Sequence, residues 1–500
     1  MSEVAKPGVS AMSAYVPPFR VSLEDWCGWT GNSWDKVAAV VGRSFRVPGK
    51  HENVYTMAAN AVLRLITQND IDPQRVGFLG LGTESSTDNA AGAVIVRGMV
   101  DHGLDALGLP RLARQCEVPE FKHACLGGVY GLKAAVRYVA FDGADRLAIV
   151  VGADVAEYER GSTGEQTQGA GAVAMLVERE AKLFEVDLAH AGSASDYRGP
   201  DFRKPFARHF VDGYARGTER LSDFPVFSGK YSTFSYLDET VHAVEDMLHK
   251  LDVSAGKFYR SVRGLFFHRP YQMMPVQAMS FLYVRGMARG TNHHDELGAL
   301  CKEAGVELED VLRETQTRPD LFALVRSAGA DVGDPYRATS KVAGLLRKQA
   351  DFRELLAEKM SLGSEAVGDL GNLYSAALPV WLAAGFEQAA EQSLELAGLP
   401  MVAVGYGSGD AAEAIPIRAV AGWEKAAQNI RLAEALHGPV VDLTRAQYEA
   451  LHDRREADGI EYSPSGEFVI SHVGDTYDPA FQDLGIEYYE YVPPQVVAAE

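Results

Sequence analysis

Five side chains in this sequence have the types and settings for acyl chemistry: Glu84, Cys125, His268, Asn372 and Ser408. Cys125 lies in Glu120-Phe121-Lys122-His123-Ala124-Cys125-Leu126-Gly127-Gly128-Val129, and apolar residues at helical spacing (Leu126, Val129, Leu132, Val136, Val139) follow it. A thiol at the head of such a helix feels the positive end of its dipole, so its pKa is expected to fall toward the reactive thiolate. The paired glycines let another backbone or a substrate come close. Glu84 ends an apolar run, where desolvation raises a carboxyl pKa into the range of a base for a carbon-bound proton. A thiolate supplies a covalent acyl carrier. His268 and Asn372 can donate hydrogen bonds to a carbonyl that becomes an oxyanion, and the Gly407-Ser408-Gly409 turn offers backbone N–H groups for the same task. Each residue also has a structural reading: Glu84 as a helix cap, His268 as a core histidine, Asn372 as a turn residue, Cys125 as an inert small hydrophobe. Their common place at strand ends, in both halves of the chain, favours the chemical reading.

The elements that must position them alternate strand with helix. The pattern predicts a strand over 9–15 closed by Pro17-Pro18, a helix from Ser22, a helix over 54–66 and a strand over 76–81 that delivers Glu84. Further strands are expected at 146–151, ending in Gly152-Ala153-Asp154, and at 169–177. In the second half a strand over 262–267 ends at His268, and a helix runs from 379 to 396. Segments 400–410 and 414–420 then repeat the pattern of 146–154 and 171–177. Continuous apolar strands between helices imply an α/β layered core, built as two similar halves whose strand ends meet at one site. The expected division is an N-terminal half at 1–180, a connecting or cap segment at 181–260, a C-terminal half at 261–425 and an extension at 426–500. A polar helical insertion at about 290–360 interrupts the C-terminal half.

The composition, 500 residues with 47% hydrophobic, is that of a soluble enzyme. Cys27, Cys116, Cys125 and Cys301 form no CxxC pair, which argues against zinc and disulfides and suits a reducing cytoplasm. No apolar run approaches the roughly 18 residues of a membrane span, and the first residues carry no signal-like apolar region. A net charge of -20 speaks against nucleic acid and anionic membranes, so an anionic ligand needs a local basic pocket. Arg203-Lys204-Pro205-Phe206-Ala207-Arg208-His209 is the densest candidate, with a solvated loop as its alternative. His293-His294-Asp295-Glu296 reads as a solvated helix start, and no metal site is expected.

The ordered motifs resemble those of the hydroxymethylglutaryl-CoA synthase family of the thiolase superfamily. They are Gly82-Thr83-Glu84-Ser85, Ala124-Cys125-x-Gly127-Gly128, Gly164-Glu165-x-Thr167-Gln168-Gly169-Ala170-Gly171, Phe267-His268-x-Pro270-Tyr271, Gly371-Asn372-x-Tyr374-Ser375 and Tyr406-Gly407-Ser408-Gly409. Tyr55 to Ala61 and a degenerate Asp201-Phe202-x-x-Pro205 also fit. The resemblance covers roughly 9–490 and implies a thiolase-like fold, a five-layered αβαβα sandwich, and a homodimer. It implies that Cys125 takes an acetyl group from acetyl-CoA, that Glu84 removes a methyl proton and later acts as acid, and that His268 polarises the carbonyl of acetoacetyl-CoA. Asn372, Ser408, Gly407 and Tyr374 would bind substrate, and Arg203, Lys204 and Arg269 are candidates for CoA. No cofactor is implied beyond the two CoA thioesters.

The chain departs from the family pattern at Leu126 (family Tyr), Val129 (family Thr) and Met273 (family Lys, associated with CoA). The loss of that lysine keeps a rival open: a β-branching synthase that acts on β-ketoacyl groups carried by acyl carrier protein. Ketoacyl synthases and thiolases fit less well, because they do not use a Glu in this context and thiolases need a second catalytic Cys. A non-catalytic thiolase-fold subunit conflicts with the intact Cys, Glu, His and Asn set.

Overall fold

The computed structural model describes residues 6–89, 91–204 and 224–494. Its centre is a ten-stranded mixed sheet. In chain order the strands are β1 (Gly8–Tyr15), β2 (Val76–Gly82), β3 (Glu120–Phe121), β4 (Leu147–Ala156), β5 (Gly169–Glu178), β6 (Phe184–Val186), β7 (Gly192–Ser195), β8 (Gly264–Phe267), β9 (Pro400–Gly407) and β10 (Ala411–Ala419). They lie side by side as β8-β9-β10-β6-β1-β5-β4-β2-β3, with β7 beside β10.

The duplication predicted from sequence is visible in the pairing. In the N-terminal half β2 and β4 run parallel, and β4, β5 and β1 then alternate in direction. In the C-terminal half β8 and β9 run parallel, and β9, β10 and β6 alternate. The short β6, paired with both β1 and β10, joins the halves into one sheet. The helix Val54–Gln68 covers one outer face, where its apolar side packs on β1, β4 and β5. The helices Gly127–Ala140 and Ala377–Glu391 lie between the two sheet halves, which is why both are buried almost all round. The helix Gly229–Lys250 covers β7 and β10 on the far side. Helix, sheet, helix, sheet and helix thus make the five layers.

Most predicted elements sit where the pattern put them, with ends displaced. The 146–151 strand extends to Ala156, and the helix expected to reach 396 stops at Glu391. The described residues of the 181–260 stretch supply β6, β7 and a core helix to the C-terminal half. The insertion is helical, its helices running from His294–Ala304 to Ala350–Met360. The His293 to Glu296 cluster forms a helix start there, and no group of three metal-binding side chains occurs among the described residues. No helix among the described residues is long and apolar enough to cross a membrane.

Candidate active site

Cys125 sits two residues ahead of the helix Gly127–Ala140, at the junction of the halves. Ala124, before it, is in the left-handed region at φ 43°, an unfavourable conformation for a residue with a side chain. Ser375, from the C-terminal half, fixes that elbow by donating from Oγ to the Ala124 carbonyl at 3.2 Å. The glycine pair after Cys125 is what admits Ser375: a β-carbon at Gly128 would fall 2.4 Å from its carbonyl oxygen.

The sulfur lies in an aromatic pocket of Tyr158, Tyr374, Phe202 and Phe227. Phe227 meets Tyr158 edge-on at 5.6 Å, and Phe202 meets Tyr374 edge-on at 5.7 Å. The expected low thiol pKa is not what this setting produces. Burial pushes the Cys125 thiol well above its ordinary value, and the carboxylates of Glu84, Asp154 and Asp201 push it further, against a smaller downward pull from Lys204. The helix-head argument counted one partial charge. The fold brings three carboxylates to the same place, two of them from strand ends far away in sequence. This setting favours the thiol form of Cys125 over the thiolate.

The candidate base, Glu84, shares this field. Burial raises the Glu84 carboxyl to about 7, with Lys204 opposing and Asp154 adding to the shift. Lys204 Nζ lies 3.2 Å from Glu84 Oε1 and 4.9 Å from the centre of the Tyr374 ring. Asp154, near the C-terminal end of β4 and fully buried, holds the Glu84 loop. Its Oδ1 accepts from Thr83 Oγ1 (2.9 Å), Glu84 N (2.8 Å), Ser85 N (3.0 Å) and Ser85 Oγ (2.7 Å), while Oδ2 accepts from Ser375 N (2.8 Å). One carboxylate therefore ties the base to the other half of the chain. Sequence reasoning placed Asp154 at a strand end and gave it no role; the available signal was an acidic residue closing an otherwise apolar run.

His268 follows β8 and is buried, its imidazole held neutral by desolvation with a pKa lowered to about 3. Its Nδ1 has no hydrogen-bond partner among the described residues, and Tyr236 clamps its carbonyl at 2.9 Å. The ring stacks on Tyr406 at 6.5 Å; the Tyr406 hydroxyl donates to Asp201 Oδ2 at 3.1 Å, and Asp201 is one of the charges felt by Cys125. Asn372 spends its side-chain oxygen on the backbone N–H of Tyr374 at 2.9 Å, the turn role weighed from sequence, which leaves its amide NH₂ as the donating end. Ser408 and Gly409 border an open depression of about 490 Å³ that reaches His123 and Ala124 beside Cys125, and Gly407 is packed behind it, where a β-carbon would fall 2.6 Å from the His123 carbonyl oxygen.

Arg269 does not reach toward this site. Its guanidinium donates to the Ser364 carbonyl at 2.8 Å and lies 5.3 Å over the Trp381 ring. Arg203 is exposed, Lys204 is engaged with Glu84, and 205–209 of the basic run fall outside the described residues. The Glu165 and Gln168 side chains of the 164–171 motif are structural. Gln168 bridges Tyr158 N and Tyr448 Oη at 2.9 Å each, and Tyr448 donates to Glu165 at 2.7 Å.

Comparison with known proteins agrees with this arrangement. A family model described as hydroxymethylglutaryl-coenzyme A synthase N terminal matches residues 4–182, the half that carries Cys125 and Glu84. A hydroxymethylglutaryl-CoA synthase of Haloferax volcanii is 26% identical over 85% of this chain and 87% of its own length. The solved structure of MvaS in complex with 3-hydroxy-3-methylglutaryl coenzyme A superposes with a TM-score of 0.71 at 25% identity, over 98% of this chain and 99% of that one. The chain is therefore similar to hydroxymethylglutaryl-CoA synthases over most of its length. A curacin-pathway HMG synthase crystallised with its acetyl donor acyl carrier protein shares the fold, with a TM-score of 0.67 at 19% identity over 97% of this chain and all of that one.

Two of the departures from the family pattern lie inside the protein. Leu126 and Val129 are buried in the central core and pack on the backbone of β9, where a β-carbon at Gly405 would fall 2.7 Å and 3.0 Å from them. They fill space between the halves and do not line the aromatic pocket at the sulfur. Met273 opens the helix Met273–Arg289 and is partly exposed, so that position can face a ligand.

Proposed function

We infer that this protein is a hydroxymethylglutaryl-CoA synthase, an acyltransferase that forms a carbon–carbon bond. The observation that carries the reading is a buried thiol beside a carboxyl whose pKa is raised to about 7, in an aromatic pocket. Cys125 Sγ attacks the carbonyl of acetyl-CoA while its proton passes to Glu84, and that proton leaves with the CoA thiolate. The acetyl group, now a thioester in a nearly dry pocket, has an acidic methyl group. Glu84, ionised again, removes one methyl proton, and the carbanion adds to the ketone carbon of acetoacetyl-CoA. Neutral His268 donates a hydrogen bond to the developing alkoxide, with the Asn372 amide and Tyr374 placing that substrate. Protonated Glu84 supplies the proton that completes the alcohol. The Gly407 to Gly409 turn supports the thioester oxyanion during acylation and again when water releases 3-hydroxy-3-methylglutaryl-CoA and restores Cys125. Covalent attachment turns the condensation into a positioned, intramolecular event. Arg203 and Lys204 remain the candidates for contact with CoA. On the same reading the enzyme works as a cytoplasmic homodimer in mevalonate-type isoprenoid synthesis, with its CoA thioesters as the only small-molecule partners and no cofactor.

One observation favours a second reading. Met273 stands where a CoA-associated lysine is expected and leaves no positive charge there, which suits a β-ketoacyl group presented on a carrier protein instead. Incubation with labelled acetyl-CoA is expected to leave an acetyl group on Cys125; no adduct there sinks both readings. Turnover with free acetoacetyl-CoA at a far higher kcat/KM than with carrier-bound acetoacetate supports the first, and the reverse ratio supports the second.

A further inference from the structure

The helical insertion reaches the active site through a single buried arginine. Arg198 is 1% exposed and faces four carboxylates. Its Nε lies 3.2 Å from Asp410 Oδ1, Nη2 donates to Asp238 at 2.6 Å and also to Glu239, and Nη1 is 3.1 Å from Asp196. Asp410 closes the Ser408 turn. The backbone of the arginine's own loop zips onto that turn, with Arg198 N donating to Gly409 O at 3.1 Å and Asp410 N to Asp196 O at 2.9 Å. Asp201, three residues on, accepts from Gly409 N at 3.0 Å. Lys204, the partner of Glu84, ends the same described stretch.

The insertion closes the other side of this cage. Tyr336, fully buried, donates its hydroxyl to Asp238, the carboxylate that grips Arg198. Phe322 stacks edge-on against Tyr197 at 4.8 Å and sits so close to Gly199 that a β-carbon there would fall 2.1 Å from its ring. Leu321 and Val325 pack on Tyr231, whose hydroxyl donates to the Arg198 carbonyl at 2.8 Å. A buried arginine among more carboxylates than it can neutralise keeps one geometry only if each carboxylate is held by further donors, and Tyr336 is one of them.

We propose that Arg198 is a positioning residue for the Ser408 turn, and that the insertion serves as a brace which, through Tyr336 and Phe322, holds the loop 196–204 against that turn. The catalytic meaning of the brace rests on the function inferred above. Loosening it should cost rate more than substrate affinity, because a displaced turn mispositions its N–H groups for the oxyanion while the rest of the substrate contacts stay in place.

Tyr336→Phe and Phe322→Ala are the probes, since removing Arg198 itself would leave its carboxylates unpaired and threaten folding. Val311→Ala, in the insertion's own core and away from the arginine, is the matched control for lost stability. Both probes are expected to slow acetylation of Cys125 at saturating acetyl-CoA roughly 10-fold, with KM within about 2-fold. Amide exchange in a peptide spanning 406–412, followed by mass spectrometry, should speed up by about 10-fold. Val311→Ala should lower the melting temperature with neither effect. Probes that keep wild-type exchange over 406–412, or lose no more acetylation rate than Val311→Ala, overturn the proposal. If the wild-type protein takes up no acetyl group, the inferred reaction fails, and the exchange rates alone still decide the brace.

Discussion

Two glutamates in this protein have their carboxyl groups raised by burial to about 7, and they are held in opposite ways. Glu52 is 2% exposed; its Oε1 accepts from Tyr15 Oη at 2.5 Å and its Oε2 from the backbone N–H of Gly49 at 2.6 Å. Tyr15 also donates to Glu467 at 2.7 Å, which ties the C-terminal extension to β1. Every arm of Glu52 is spent on a fixed donor. Glu84 meets one ammonium group at 3.2 Å and otherwise faces the nucleophile's pocket, while Asp154 holds its backbone and leaves its carboxylate free. On the function proposed above, the same shifted pKa marks a structural joint in one place and a base in the other. What separates them is unspent hydrogen-bonding capacity aimed at an acyl group, more than the size of the shift.

The largest effect tests the pocket that Glu84 faces. Cys125→Ser should cut acetyl transfer by about 10³-fold or more, because a hydroxyl offers no comparable nucleophile, and intact-mass measurement of the acyl-enzyme will read it. Next, Glu84→Ala is expected to acetylate Cys125 more slowly, with water left to take the thiol proton, and to lose condensation far more, by about 10² to 10⁴-fold, the span of a general base. Glu52→Gln should leave turnover within about 3-fold, in the range of a substitution that touches no reacting group. An equal loss at both positions would break the comparison.

A smaller effect separates them by pH. Condensation should rise with pH through about 7 as Glu84 ionises. Because Lys204 pulls the Glu84 pKa down, Lys204→Met should displace that rise toward alkaline pH, and Glu52→Gln should leave it in place; rate profiles from pH 5 to 9 will decide. The smallest expected effect is on stability. The folded state holds the Glu52 proton to about 7, above the ordinary 4.5 of the unfolded chain. This contribution is fully present below the unfolded pKa and is lost as pH rises through the folded one. Glu52→Gln removes the loss, so its melting temperature relative to wild type should be higher at pH 7.5 than at pH 4.5. A difference that stays flat or falls would show that Glu52 ionises normally in the folded protein.

The sequence made the strands and their duplication legible because a strand buried on both faces must be apolar throughout, and 76–81, 147–151 and 400–407 are. The residues at the strand ends were legible for the same reason: Glu84, Asp154 and His268 interrupt runs that have no other cause to stop. What stayed hidden was everything set by approach between distant segments. The Cys125 thiol was expected to be acidified by its own helix, and the carboxylates that outweigh that helix come from β2, β4 and the loop after β7. Arg269 carries a charge next to His268, and only the fold reveals that Trp381 and the Ser364 carbonyl take it up. Leu126 and Val129 stand beside Cys125 in sequence, and only the fold reveals that they pack between the halves. Periodicity reports which face of an element is buried, and it is silent about what lies opposite.

The bond from Ser375 N to Asp154 has a consequence for how the protein comes into being on the ribosome. The segments that carry Cys125 and Glu84 emerge early, but the amide that completes the Asp154 anchor, and the hydroxyl that steadies the Ala124 elbow, belong to a residue made some 220 positions after Asp154. Until then the nascent chain holds a thiol and a base with no common anchor. On the function proposed above, the acyl-accepting centre is therefore complete only once three-quarters of the protein has been translated and its second half has docked.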